Sequence, residues 1–161
     1  MPREHDLLSI YLADHRAIFS GVEKRLDQMR GYTELPFAHE IDQMHRDVMT
    51  EMIWLEAFCK RGEVPRGRIK QGATRLAERL GRLKLNGTIR STSALSPMLE
   101  IELLTAAVTT KIRLWETLST LPTSTQDGID LGELLDQAHQ HYEDAARWHR
   151  QLRQRTFSPA L

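Results

Sequence analysis

The chain has little of what builds anything other than helices. Strand formers are sparse among its 161 residues, while Leu, Ala, Arg, Glu and Gln dominate, a balance that favours an all-helical fold. Cys59 is the only cysteine, so no internal disulfide can staple the structure. No run of 18 apolar residues occurs, which leaves no candidate membrane-spanning helix. Met1 to Leu8 carry Arg3, Glu4, His5 and Asp6 instead of an apolar stretch. No signal peptide is visible, and a cytoplasmic protein is expected. A phosphate-binding glycine loop, a Gly-x-Ser-x-Gly elbow and a Cys/His zinc spacing are all missing, so the motifs give no reason to expect an enzyme of those classes. The length suits one domain, residues 1–161, with its own apolar core.

Net charge is also lacking, but its zero sum conceals an asymmetry. Lys60, Arg61, Arg66, Arg68, Lys70, Arg75, Arg79, Arg82, Lys84 and Arg90 face only Glu63 and Glu78 in that stretch. The segment is therefore strongly basic and the rest of the chain equally acidic. Such a contrast either balances an acidic bundle internally or marks an anion-binding face. For the second case the candidates are Arg68, Arg75, Arg79 and Arg82. No aromatics are interleaved with them, so base stacking, and with it nucleic-acid recognition, is not expected.

What the chain has in quantity is apolar residues at alternating steps of three and four. Leu8, Leu12, His15, Phe19, Val22, Leu26 and Met29 predict a first helix over 4–30, with Gly31 as a left-handed stop. Ile41, Met44, Val48, Leu55 and Phe58, with Glu51 interrupting them, predict a second over 36–61, opened by Pro36. Ile69, Ala73, Leu76, Leu80 and Leu83 predict a shorter helix over 65–84 that shows arginines on another face. Met98, Ile101, Thr105, Val108, Ile112 and Trp115 predict a helix over 97–119, capped by Ser96 and widened by Leu99, Leu103 and Ala106. Leu131, Leu134, Ala138, His141, Ala145, Trp148 and Leu152 predict the last, over 131–155, with Asp130 and Glu133 as a capping box. Two hairpins joined by a long helical connection make a four-helix bundle with one crossover, the ferritin-like arrangement.

Ferritin-like metal sites use Glu-x-x-His pairs, and none occurs here. Asp136 and His139 share a polar stripe and are expected to face solvent. A second set lies on or beside the apolar seams: His15, Glu51, Glu102 and His141. Counting outward from the hairpin turns puts His15 opposite Glu51 or Met52, and Glu102 within about a turn of His141. Imidazole and carboxylate in one layer suit a divalent metal, iron, manganese or zinc. The same residues equally suit a structural layer in which His and Glu satisfy one another and fix the packing register.

The stretch Gly81-Arg82-Leu83-Lys84-Leu85-Asn86-Gly87, then Ser96-Pro97 and Leu99-Glu100-Ile101-Glu102, together with Asp14-His15, resembles a family of uncharacterised bacterial helical-bundle proteins with a ferritin-like layout. The resemblance implies an all-helical bacterial protein and brings no activity or site residue with it. A structural or interaction protein, forming a homodimer as bundle families tend to, is the leading expectation. A metal-binding protein or oxidase with a site in the bundle core, and an anion-binding module, are the alternatives.

Overall fold

A computed structural model describes residues 4–32, 34–61, 95–121 and 130–158. They form four α-helices and, among the described residues, no strand: α1 (Glu4–Arg30), α2 (Ala38–Arg61), α3 (Ser96–Ser119) and α4 (Leu131–Phe157). At 1.5 Å per residue each is about 35–40 Å long. None is long and apolar enough to cross a membrane. The expected helix over 65–84, and with it Arg68, Arg75, Arg79 and Arg82, lies outside the described residues.

The seam residues do the packing that their spacing predicts. Leu12, Phe19, Val22, Leu26 and Met29 of α1, Ile41, Met44, Val48 and Leu55 of α2, and Ala138, Ala145, Trp148 and Leu152 of α4 are all buried in one core. Each large apolar side chain so buried contributes about 1.5–3 kcal/mol. On α3 the buried strip falls on the other flank from the one expected. Leu103 and Ala106 are exposed, while Leu104, Lys111, Leu114 and Leu118 are buried beside Ile101, Val108 and Trp115. A three-four seam defines the centre of a buried face but not which side of it a neighbouring helix will cover.

Helix ends also depart from expectation. Gly31 is not in the left-handed region, and its N–H donates to the Gln28 carbonyl at 3.1 Å. Its lack of a side chain matters for another reason, since a Cβ would stand 3.2 Å from that same oxygen. The chain then turns through Leu35–Phe37, with the Ala38 N–H donating to Leu35, so α2 begins two residues after Pro36. Ser96 is inside α3, whose cap is Leu95 without a side-chain hydrogen bond; Pro97 fills the first turn. Asp130 does cap α4, accepting from the backbone N–H groups of Gly132 and Glu133.

Directions follow from cross-helix partners. Arg16 meets Glu56 and Arg30 meets Asp42, so α1 and α2 are antiparallel. Tyr11 meets Thr117 and Arg25 meets Glu100, so α1 and α3 are too. His149 meets Glu102 and His141 meets Lys111 between α4 and α3. Arg147 meets Glu40 and His141 meets Asp47 between α4 and α2. The α2 and α3 helices therefore run parallel, and Glu51–Lys111 and Trp54–Trp115 contacts join them across the bundle.

Candidate functional site

A chain of four hydrogen-bonded side chains crosses the core. Asp47 and Glu51 stand one turn apart on α2, Lys111 comes from α3, and His141 from α4. The Lys111 Nζ lies 2.9 Å from Glu51 Oε1 and 2.7 Å from His141 Nδ1. His141 Nε2 lies 3.1 Å from Asp47 Oδ2. Glu51, Lys111 and His141 are only 1%, 3% and 4% exposed, and Asp47 is the member nearest solvent.

The partners dictate the protons. An ammonium has only donors, so the Lys111 head group donates to both Glu51 Oε1 and His141 Nδ1. The His141 ring is then neutral, with its hydrogen on Nε2 and donated to Asp47. Burial, and next the Lys111 charge, push the ring's pKa down to about 4; Asp47 and Asp144 pull the other way. Burial also drives the Lys111 pKa down and the Glu51 pKa up, each against the attraction of its partner. A lone charge at either position would be costly, and the pair is what allows both.

Of the four residues singled out in the sequence, the structure links two. Glu51 and His141 are joined through Lys111. His15 is buried, but its ring leans on Tyr11 with centroids 4.1 Å apart, and its Nδ1 donates to the Tyr11 carbonyl at 2.9 Å. Burial holds its pKa below the usual imidazole value; the backbones of Tyr11 and Thr110 and the Asp14 charge oppose this. The Thr110 backbone is close enough to act on the ring yet is no hydrogen-bond partner for Nε2, which has none among the described residues. Glu102 stands outside the layer: its side chain is 49% exposed and accepts from His149 Nε2 at 3.0 Å. Ile101 and Leu104 take the buried angles on either side of it. Asp136 and His139 are exposed.

Lys111 and Asp47 were not legible as site residues from the seams alone, yet each left a trace. Leu104, Lys111 and Leu118 recur every seven residues, which places a lysine on an apolar stripe. Asp47 is one turn before Glu51, so the two carboxylates share a face.

An aromatic cluster stands beside this layer. Trp115 touches Phe19 and Trp54 edge-on, at 5.7 and 5.6 Å between centroids. Glu51 lies three residues before Trp54, and Lys111 four before Trp115. Among the described residues, Glu51 Oε2 and the Nε1 atoms of Trp54 and Trp115 are buried without hydrogen-bond partners. No three His, Cys, Asp or Glu side chains among those residues gather as metal ligands. Cys59 is buried, which pushes its thiol pKa up and away from reactivity. No family model, curated protein or solved structure matches the chain.

Proposed function

We propose that the chain is a structural or interaction protein of ferritin-like helix order, whose core polar layer sets packing register and does no chemistry of its own. One observation carries this reading: the ammonium of Lys111 sits where the Glu51 carboxylate and the His141 lone pair converge. Those are the donors a divalent cation would take, and a tethered cation already holds them. Buried polar groups of this kind specify one alignment of helices, because a slipped helix leaves each of them unpaired. A homodimer is the assembly this reading expects. Ile53, 69% exposed on the outer side of α2, is an apolar side chain that a second copy would cover.

The second reading is a metal-binding bundle using His15, Glu51, Glu102 and His141 with iron, manganese or zinc. It is favoured by two buried acceptors without partners, His15 Nε2 and Glu51 Oε2. Elemental analysis of tag-free protein after reloading with each metal separates the two. Less than about a tenth of an equivalent is expected on the structural reading, since a metal would have to displace the Lys111 ammonium to reach those donors. A stoichiometric metal that survives dialysis would overturn it. Light scattering across a concentration series checks the dimer.

A further inference from the structure

The outer face of α2 carries a second pattern that the core does not use. Asp42, Arg46, Met49, Ile53, Glu56 and Lys60 follow one another at steps of four, three, four, three and four. That is the repeat of a coiled-coil seam, so the six side chains form one nearly straight stripe on the helix. The stripe points away from the core: Arg46, Met49, Ile53 and Lys60 are exposed, and Asp42 and Glu56 are half-buried. Its middle is apolar and its two ends are charged.

The order of the charges is self-complementary in one direction only. A second copy of α2 laid antiparallel, with the two-fold axis at residue 51, sets Met49 against the partner's Ile53. Arg46 then meets the partner's Glu56, and Asp42 the partner's Lys60. The two-fold repeats each contact, so two apolar layers lie between opposite charges. Laid parallel, every charge would meet its own like. An antiparallel slip of one heptad would set Ile53 against Glu56 or Asp42. Within one copy Asp42 already pairs with Arg46 and Arg30, and Glu56 with Arg16 at 2.6 Å. These pairs lie at the surface, where sharing a carboxylate with one more cation costs little.

The neighbouring face of α1 leaves room for another helix. The Arg16–Glu56 and Arg30–Asp42 pairs put Gly21 level with residue 51, at the height of that axis. A Cβ on Gly21 would meet nothing within 4 Å. Beside Ile53, a groove of about 260 Å³ runs between Ala17 and Ser20 of α1 and Met52 and Glu56 of α2. We infer that two copies of the chain pair α2 against α2, antiparallel, through the stripe from Asp42 to Lys60, with the partner's Met49 over this groove. The inference rests on the homodimer reading above and assigns that dimer its surface.

Sedimentation equilibrium of the full-length chain and three variants tests this. The unsubstituted chain is expected to dimerise. Ile53→Glu puts two carboxylates into the apolar middle and should raise the dimer Kd at least about a hundredfold. Because the side chain is exposed, the thermal midpoint at a dilution where both proteins are monomers should not change. Arg46→Glu and Glu56→Lys each turn two attractive contacts repulsive and should weaken pairing about tenfold. Mixed in equal amounts, those two variants restore every opposite-charge contact and should regain the original affinity. Single charge variants that pair as tightly as the unsubstituted chain, or a mixture no tighter than its components, would overturn the antiparallel stripe. A dimer indifferent to all three substitutions would overturn this interface and leave the homodimer reading standing. A monomer at every concentration would overturn both. An Ile53→Glu monomer less stable than the unsubstituted monomer would show the stripe to be covered within one chain, which also overturns the inference.

Discussion

The bundle has two contrasting sides. Between α1 and α3 the contact is built from Phe19, Trp115, Leu26, Ile101 and Leu104, with polar contacts at Tyr11 and Arg25. Between α2 and α4 it is built from Glu40, Asp47, His141, Arg147 and Trp148, with Phe37 stacked at one end. The first is held by area removed from water, which neither pH nor salt greatly alters. The second adds directional bonds, each accepted by a carboxylate of α2, that fit one alignment. Burial supplies most of the stability, and the polar side supplies the condition under which the stability holds.

The largest expected effect tests the apolar side. Trp115→Ala should cost about 4 kcal/mol in urea unfolding, because it empties the centre of the Phe19–Trp54 cluster. Its acid midpoint should move only as far as the lost stability requires. A loss under about 1 kcal/mol would mean that the cluster is not what holds α1 to α3.

Lys111→Met comes next, at about 3 kcal/mol, since it leaves Glu51 buried beside no cation. Glu51→Gln with Lys111→Met should recover about half of that, and urea curves of the two singles and the double give the coupling. Equal losses in the single and double variants would mean that the pair is not coupled.

The pH dependence has a smaller magnitude and a definite sign. The folded His141 pKa is about 4, against 6.5 for an unperturbed imidazole. Its contribution is therefore complete above pH 6.5 and lost as pH falls toward 4, up to about 3 kcal/mol. Glu51 is shifted the other way: its raised folded pKa returns some stability as pH falls, so the net loss should be smaller than the histidine's alone. Urea midpoints at four pH values, compared with His141→Gln, isolate the histidine. A flat profile would contradict the assigned tautomer.

The smallest effect is expected at the seam's surface. Arg147→Ala should cost less than about 1 kcal/mol, because both it and Glu40 are well exposed. A larger loss in thermal unfolding would show that the Glu40–Trp148 bond depends on Arg147 for its geometry.

The four long helices were legible because three-four spacing survives whatever they pack against. The α4 cap was legible because Asp130 acts on its own backbone. The flank of α3 was not, since Leu103 and Leu104 look alike until a neighbour covers one of them. The site was half legible for the same reason. Glu51 and His141 interrupt apolar stripes and announce themselves. Lys111 resembles any surface lysine by composition, and only its place between Leu104 and Leu118 distinguishes it. Glu102 was misplaced because a residue bordering a stripe can be turned either way by a small rotation of the helix.

The parallel run of α2 and α3 has a kinetic consequence. Glu51 and Lys111 are 60 residues apart in sequence, so neither hairpin can form their bond while folding on its own. Loop closure favours the local contacts of each hairpin first, and the ion pair can form only when the two meet. Docking one turn out of step toward the C-terminus of α2 would set Lys111 against Trp54 with no carboxylate to receive it, at a cost large enough to send the hairpins apart again. The buried pair then acts late, as a check on assembly, rejecting misaligned encounters that the apolar stripes alone would accept.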